Sequence, residues 1–205
     1  MPNINFFKVQ ESFLQDSSIA KKFISISGTK VAIPDQRSSA FQVAPSIFPM
    51  VWGWGTWANS WKKYVLEILD AKEITDQTSR KLFPKKSDWL ERKLFQDTFN
   101  ARFREVNIGY IDTWDYALTA TAWRENLLSL HMAANSIINI GFNSQGTHTK
   151  QNAPKWVPVK FESFENSEVG VGDWDLDLDK LIAKQVFNCN LMDFSKNQIK
   201  KMLIR

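Results

Sequence analysis

The chain reads as an α/β protein that is rich in helices and short of strands. Three observations predict this. Lys22 to Ser27 (KFISIS) alternates and carries β-branched residues, so it is a strand, and Gly28 ends it. After Ser87, which caps it, a long helix places Leu90, Leu94, Phe95, Phe99 and Phe103 on one face. Leu127 to Ala133 reads as one more strand. Two or three strands are fewer than a covered mixed sheet normally needs.

The remaining elements follow in chain order. Asn3 or Asn5 can cap a first helix through Phe6, Val9, Phe13 and Leu14. Residues 29–45, with Pro34, Asp35 and Pro45, predict an irregular loop. Ser46 to Tyr64 (SIFPMVWGWGTWANSWKKY) holds four of the nine tryptophans. Gly53 and Gly55 interrupt this run and allow bends and close approaches that other residues resist. From a cap at Thr56, the spacing of Trp57, Trp61, Tyr64 and Ile68 predicts a helix to about Leu69. Residues 70–86 are polar and read as only partly helical. Tyr110 to Asn126 predicts a helix started at Asp112 or Thr113, apolar on most sides and therefore buried. Asn135 to Phe142 reads as extended, residues 153–172 as irregular, and 176–204 as one or two helices.

The totals bound the function. At 205 residues the chain is one domain, or one domain with a tail. With 43% hydrophobic residues it can bury a core. A net charge of +4 is too weak to argue for nucleic acid, but it suits an anionic ligand or membrane surface. The single cysteine, Cys189, excludes an intrachain disulfide and fits a reducing compartment. There is no run of about 18 apolar residues and no secretory signal pattern. The expected location is the cytoplasm.

Several residues are candidates for chemistry. Flat rings at a loop mouth suit sugar stacking, because the C–H face of a pyranose packs on an aromatic face. Trp52, Trp54 and Trp57 are candidates on that ground, against the plainer reading of a tryptophan-rich core corner. Asp112 and Asp115 fall near each other at a predicted helix start. They can serve as cap and capping-box partner, or one can be a general base that deprotonates a hydroxyl. His148, in the polar loop GTHT, can ligate a divalent metal or touch a phosphate, or be an ordinary surface residue. His131 lies in a predicted strand and reads as packed or hydrogen-bonded. Asp173, Asp175, Asp177 and Asp179 alternate, but Leu178 stands where a calcium loop needs glycine. That segment reads as exposed, or as the aspartate-led start of a helix.

Three separated segments carry a family resemblance: FISISGT (23–29), FPMVWGWGTWANSWKKY (48–64) and TWDYALTATAWRENLLSLHMAANSIINIGFNSQGTHT (113–149). Together they resemble the C-terminal half of bacterial sugar-nucleotide glycosyltransferases with the GT-A fold. The nearest group is the family-2-like, hemolytic protein HlpA-like enzymes, where phrases like WGWATW, TWDYQW and NLVSNIGF…THT recur in this order. The resemblance implies an incomplete GT-A-type, Rossmann-like nucleotide-diphospho-sugar transferase domain. Residues 1–150 would be its acceptor-side half, and 151–205 an irregular linker and helical tail.

The resemblance also implies roles. Trp52, Trp54 and Trp57 match the acceptor-side aromatic segment. Asp115 matches the catalytic base of an inverting transfer, with Asp112 as second choice. His148 matches a late histidine at the metal or diphosphate, with manganese or magnesium neutralising the leaving group. The partners would be a nucleotide sugar and a glycan or lipid-linked acceptor, with peripheral membrane contact. The family's nucleotide-binding half, with its acidic metal motif, precedes words like PNINFF (Pro2 to Phe7). The expectation is therefore a chain that needs a separate N-terminal half for transfer. The alternative is a non-catalytic fragment or a carbohydrate-binding or interaction module.

Overall fold

The computed structural model describes residues 2–31, 41–142, 153–163 and 168–191. It is a mixed α/β fold with a five-stranded sheet. The strands are β1 (Phe23–Ser27), β2 (Phe41–Ser46), β3 (Trp54–Gly55), β4 (Leu128–Met132) and β5 (Glu168–Val171). Their spatial order is β3-β1-β4-β2-β5. β1 runs parallel to β4 and β2 parallel to β5, while β3 opposes β1 and β2 opposes β4.

The helices are α1 (Ile4–Leu14), α2 (Ala58–Trp61), α3 (Ala71–Leu82), α4 (Trp89–Asn107), α5 (Asp115–Arg124) and α6 (Leu176–Gln185). α1 buries Phe6, Val9 and Phe13 on one face of the sheet, with Ile26, Val43, Leu130 and Met132. α3 to α6 cover the other face around Ile24, Phe48, Phe95, Phe99, Phe103 and Trp123. Ile24 and Ile26 lie two apart in one strand and yet enter different cores. A register shift between Phe23 and Ser25 explains this, since a bulge switches the face that later residues present.

Several expected elements stand as read. Asn3 caps α1, its Oδ1 accepting from the Phe6 N–H at 3.0 Å. β1, β4 and α4 occur where their patterns place them, and α5 is buried as expected but begins at Asp115 with Trp114 at its cap position, not at Asp112 or Thr113. The cap of α4 is Asp88 rather than Ser87, after a short 3-10 turn. Asp175 starts α6, its Oδ1 accepting from the Asp177 and Leu178 N–H groups.

Others are corrected. The segment read as a loop to residue 45 ends in β2, which contains Pro45 opposite Leu130. The proline is tolerated because β5 pairs with β2 only around Phe41 and Val43, so no strand needs the missing N–H. The segment read as irregular after residue 153 contains β5, whose Val169 is exposed. α3 is a full helix. Its buried face sets hydroxyls between Ile74 and Leu82, and α4 partners two of them: Thr75 Oγ1 donates to Asn100 Oδ1 at 2.8 Å, and Gln96 Nε2 to Ser79 Oγ at 2.9 Å.

The helix expected from Thr56 to Leu69 is the short α2 alone. Thr56 does not cap it; its hydroxyl donates to the Ile24 carbonyl at 2.6 Å. Beyond Trp61, tertiary bonds take the chain out of helix. The Val65 N–H donates to Thr121 Oγ1 at 3.3 Å, and the Asn107 side chain bonds both the N–H and the carbonyl of Ile68. No helix is long and apolar enough to cross a membrane among the described residues.

Candidate functional site

The tryptophan stretch enters the structure through a clasp of buried polar groups. Asp179 Oδ1 accepts from Ser46 Oγ at 2.5 Å, and Oδ2 accepts from the Ile47 N–H at 2.9 Å and Trp174 Nε1 at 2.6 Å. Burial pushes the Asp179 carboxyl up to about 6 in spite of these three donors. His131 donates from Nε2 to the Phe48 carbonyl at 2.6 Å, and burial holds its imidazole down to about 4. The packed, hydrogen-bonded role read for His131 is therefore the observed one. Trp123 Nε1 adds a bond to the Ile47 carbonyl at 2.8 Å.

From this clasp the stretch divides between the two faces of the sheet. Gly53 has φ of +58°, a conformation that side chains resist, and a Cβ there would run into Ile137. Its carbonyl accepts from the Gly28 N–H at 2.7 Å and from Gln10 Nε2 at 3.0 Å. The bend sends neighbouring rings opposite ways. Trp52 packs with the α1-side core and stacks on Trp156, centroids 5.4 Å apart and planes 14° from parallel. Trp57 is buried in that same core, and its indole N–H finds no partner among the described residues. Trp54 goes to the other side. The three tryptophans expected as one platform are therefore not brought together.

Trp54 belongs instead to a cluster with Trp61, Tyr64 and Trp114. Its ring lies 4.8 Å from Trp114 and 5.8 Å from Trp61. Trp61 stacks on Tyr64 at 4.7 Å and 7°. Trp61 and Trp114 meet at 6.4 Å and 80°, nearly perpendicular. Both remain open to solvent, at 42% and 37% of full exposure. Sequence reading missed Trp61, Tyr64 and Trp114 as site residues. The available signal was that Trp114 directly precedes Asp115, and that Trp61 and Tyr64 close the same aromatic stretch.

Asp115 stands at the first position of α5, not at the third turn position of a capping box, and Asp112 lies outside the helix and is exposed. The Asp115 carboxylate is fixed by its neighbours. Its Oδ1 accepts from Thr113 Oγ1 at 2.5 Å and from the Tyr116 N–H at 2.8 Å. The positive helix terminus favours a carboxylate there. Its charge is felt in the cluster: the Tyr64 phenol is pushed up by burial and further by Asp115. Trp54, far away in sequence, thus packs on Trp114, the residue directly before Asp115.

The alternating aspartates divide as well. Asp175 caps α6 and Asp179 is buried in the clasp, so the segment is a helix start whose last acid is internal rather than exposed. No group of three or more His, Cys, Asp or Glu able to hold a metal ion exists among the described residues. His148, the expected metal ligand, lies outside the described residues. Two open depressions lie elsewhere, one of about 450 Å³ beside Leu69 and Asp70 and one of about 370 Å³ along α1 beside Phe7 and Gln10.

Comparison with known proteins gives no match among family models, curated proteins or solved structures.

Proposed function

We propose that the chain forms the acceptor side of an inverting glycosyltransferase with a GT-A-type domain. It would transfer a sugar from a nucleotide-diphosphate donor to a glycan or lipid-linked acceptor. One observation carries the reading: the fixed Asp115 carboxylate directly follows Trp114, a solvent-open ring of the Trp54 cluster, and its charge acts on Tyr64 of that cluster. The resemblance of three sequence segments to such enzymes supports it.

In this reading the acceptor sugar stacks on the open indoles and presents a hydroxyl to Asp115. The carboxylate takes the hydroxyl proton as the oxygen attacks the anomeric carbon. The new C–O bond forms as the bond to the diphosphate breaks, and the nucleoside diphosphate leaves with the electron pair. The anomeric centre inverts. Thr113 and the Tyr116 N–H hold Oδ1, which orients the carboxylate for this step. The divalent ion implied by the resemblance has no ligand set among the described residues, so no step is routed through it. Exposed Val65, Leu66 and Leu69 continue from Tyr64, which suits an acceptor held at a membrane surface.

A second reading is a carbohydrate-binding module without transfer, favoured by the aromatic cluster alone. The two separate in one assay. Protein isolated from its own cells, with whatever copurifies, is given labelled nucleotide sugars and native glycan and lipid extracts. Transfer is expected, with Asp115→Asn lowering turnover by about 100-fold or more. An Asp115→Asn protein that turns over normally removes the residue as base. Saccharide binding with no transfer under any donor favours the module.

A further inference from the structure

We propose that the corner made by Trp61 and Trp114 over Trp54 is a binding site for a neutral pyranose ring, and that Asp115 sets it against acidic sugars. The ring is the transfer acceptor only if the transferase reading holds, but the site stands on its own geometry.

Some faces of these rings are already covered. Tyr64 covers one face of Trp61 in a nearly parallel stack at 4.7 Å. Trp114 stands at 80° to Trp61, so it forms a wall rather than a second layer. Trp54, tilted 35° from Trp114 and 49° from Trp61, fills the angle behind them. A corner of perpendicular indoles remains, and both are more than a third exposed. In the core on the same side of the sheet, Phe95, Phe99 and Trp123 show how such rings close up when packing is their only role: all are 5% exposed or less.

A flat ligand with one apolar face fits such a corner. Stacking on an indole removes apolar surface from water, while polar groups on the ligand's rim stay wet or find protein partners. A pyranose has this build: C–H groups on a face, hydroxyls around the edge. The polar group at the rim here is the Asp115 carboxylate, next in the chain to Trp114, which can accept from a sugar hydroxyl. The effect of its charge on the Tyr64 phenol shows that the negative field reaches the stacked pair. Lys62 and Lys63 follow Trp61 in the chain, and Lys63 is paired with Glu125 at 3.3 Å. A uronate would bring a second carboxylate against Asp115 and lose by like-charge repulsion.

Tryptophan fluorescence of the full chain tests this, titrated with methyl β-glucopyranoside, methyl β-galactopyranoside and glucuronate. A saturable change is expected with a neutral methyl glycoside, and glucuronate should bind about tenfold more weakly. Trp61→Ala and Trp114→Ala should each weaken neutral-sugar binding about tenfold. Trp61→Tyr, which keeps a flat ring, should restore most of it. Asp115→Asn should narrow the gap between glucuronate and glucoside without abolishing binding. No saturable change, equal binding of neutral and acidic sugars, or indifference to both alanine variants overturns the site. Sugar binding without transfer leaves this site standing and counts against the transferase reading. Transfer accompanied by sugar binding that ignores Trp61 and Trp114 does the reverse.

Discussion

Trp54 and Trp57 lie three residues apart and have opposite fates. Trp57 is closed into the core beneath α1, 6% exposed, and its indole N–H has no partner among the described residues. Trp54 crosses to the other side and joins rings that stay open to water next to a fixed carboxylate. Composition treats the two alike. The difference comes from the path of the chain: Trp54 lies in edge strand β3 and packs on the α3-to-α6 side, whereas Trp57 follows the strand as the cap of α2 and packs into the core with α1. A tryptophan-rich run is therefore a supply of rings. Whether a given ring is core or binding surface depends on what packs beside it.

The largest expected effect comes from treating the buried member as if it were a site residue. Trp57→Ala should cost about 3–5 kcal/mol of stability, since it empties a large core volume. Urea unfolding reads this directly. A loss below about 1 kcal/mol would mean that Trp57 is not core, and the contrast would collapse.

The stem shared by both halves gives the next effect, through its two buried titratable groups. Asp179 is raised from 3.8 to about 6 in the fold. Its contribution is therefore fully present below pH 4 and is lost as pH rises through 6. His131 is lowered from 6.5 to about 4, so its contribution is present above 6.5 and is lost as pH falls toward 4. Each shift corresponds to about 3 kcal/mol at most. Between pH 4 and 6 the two slopes oppose each other. Asp179→Asn should expose the histidine slope, with stability falling on acidification relative to wild type. His131→Gln should expose the aspartate slope, with stability rising. Unfolding free energies at several pH values decide it, and parallel curves for all three proteins would remove the clasp as their common cause.

Gly53→Ala addresses the bend that separates the rings. A positive φ and a collision with Ile137 predict a loss of about 1–3 kcal/mol. The tryptophan emission should also shift, because Trp52 and Trp54 are redirected. An unchanged spectrum with unchanged stability would show that the bend does not govern the division. The smallest effect belongs to the open face: Trp61→Ala should cost less than about 1 kcal/mol of stability. Its consequence should appear in sugar binding instead. A loss as large as that of Trp57→Ala would make Trp61 a packing residue.

Much of the fold was legible because some patterns are strong locally. The Asn3 cap, the alternating β1, the one-sided aromatic face of α4 and the all-round apolar α5 each name their own structure. β2, α3 and β5 were not legible, for particular reasons. Pro45 looks like a strand breaker until one knows that no strand flanks it on the β5 side. Thr75 and Ser79 look like solvent residues until Asn100 and Gln96 reach them from α4. β5 is short, polar at its start and half exposed, so its strand character comes from the edge of β2 that it joins.

By itself, the sequence determined the α/β class, the positions of α1 and α4 and the buried character of α5. These follow from periodicity and residue chemistry, which act over a few neighbours. Only the tertiary structure decided that Trp57 is core, that Trp61 and Trp114 are the open walls, and that Asp179 and His131 grip the same stem. Those outcomes depend on contacts between residues up to 133 positions apart. Ring exposure, buried hydrogen bonding and the cost of burying charge are settled only when distant segments are packed against one another.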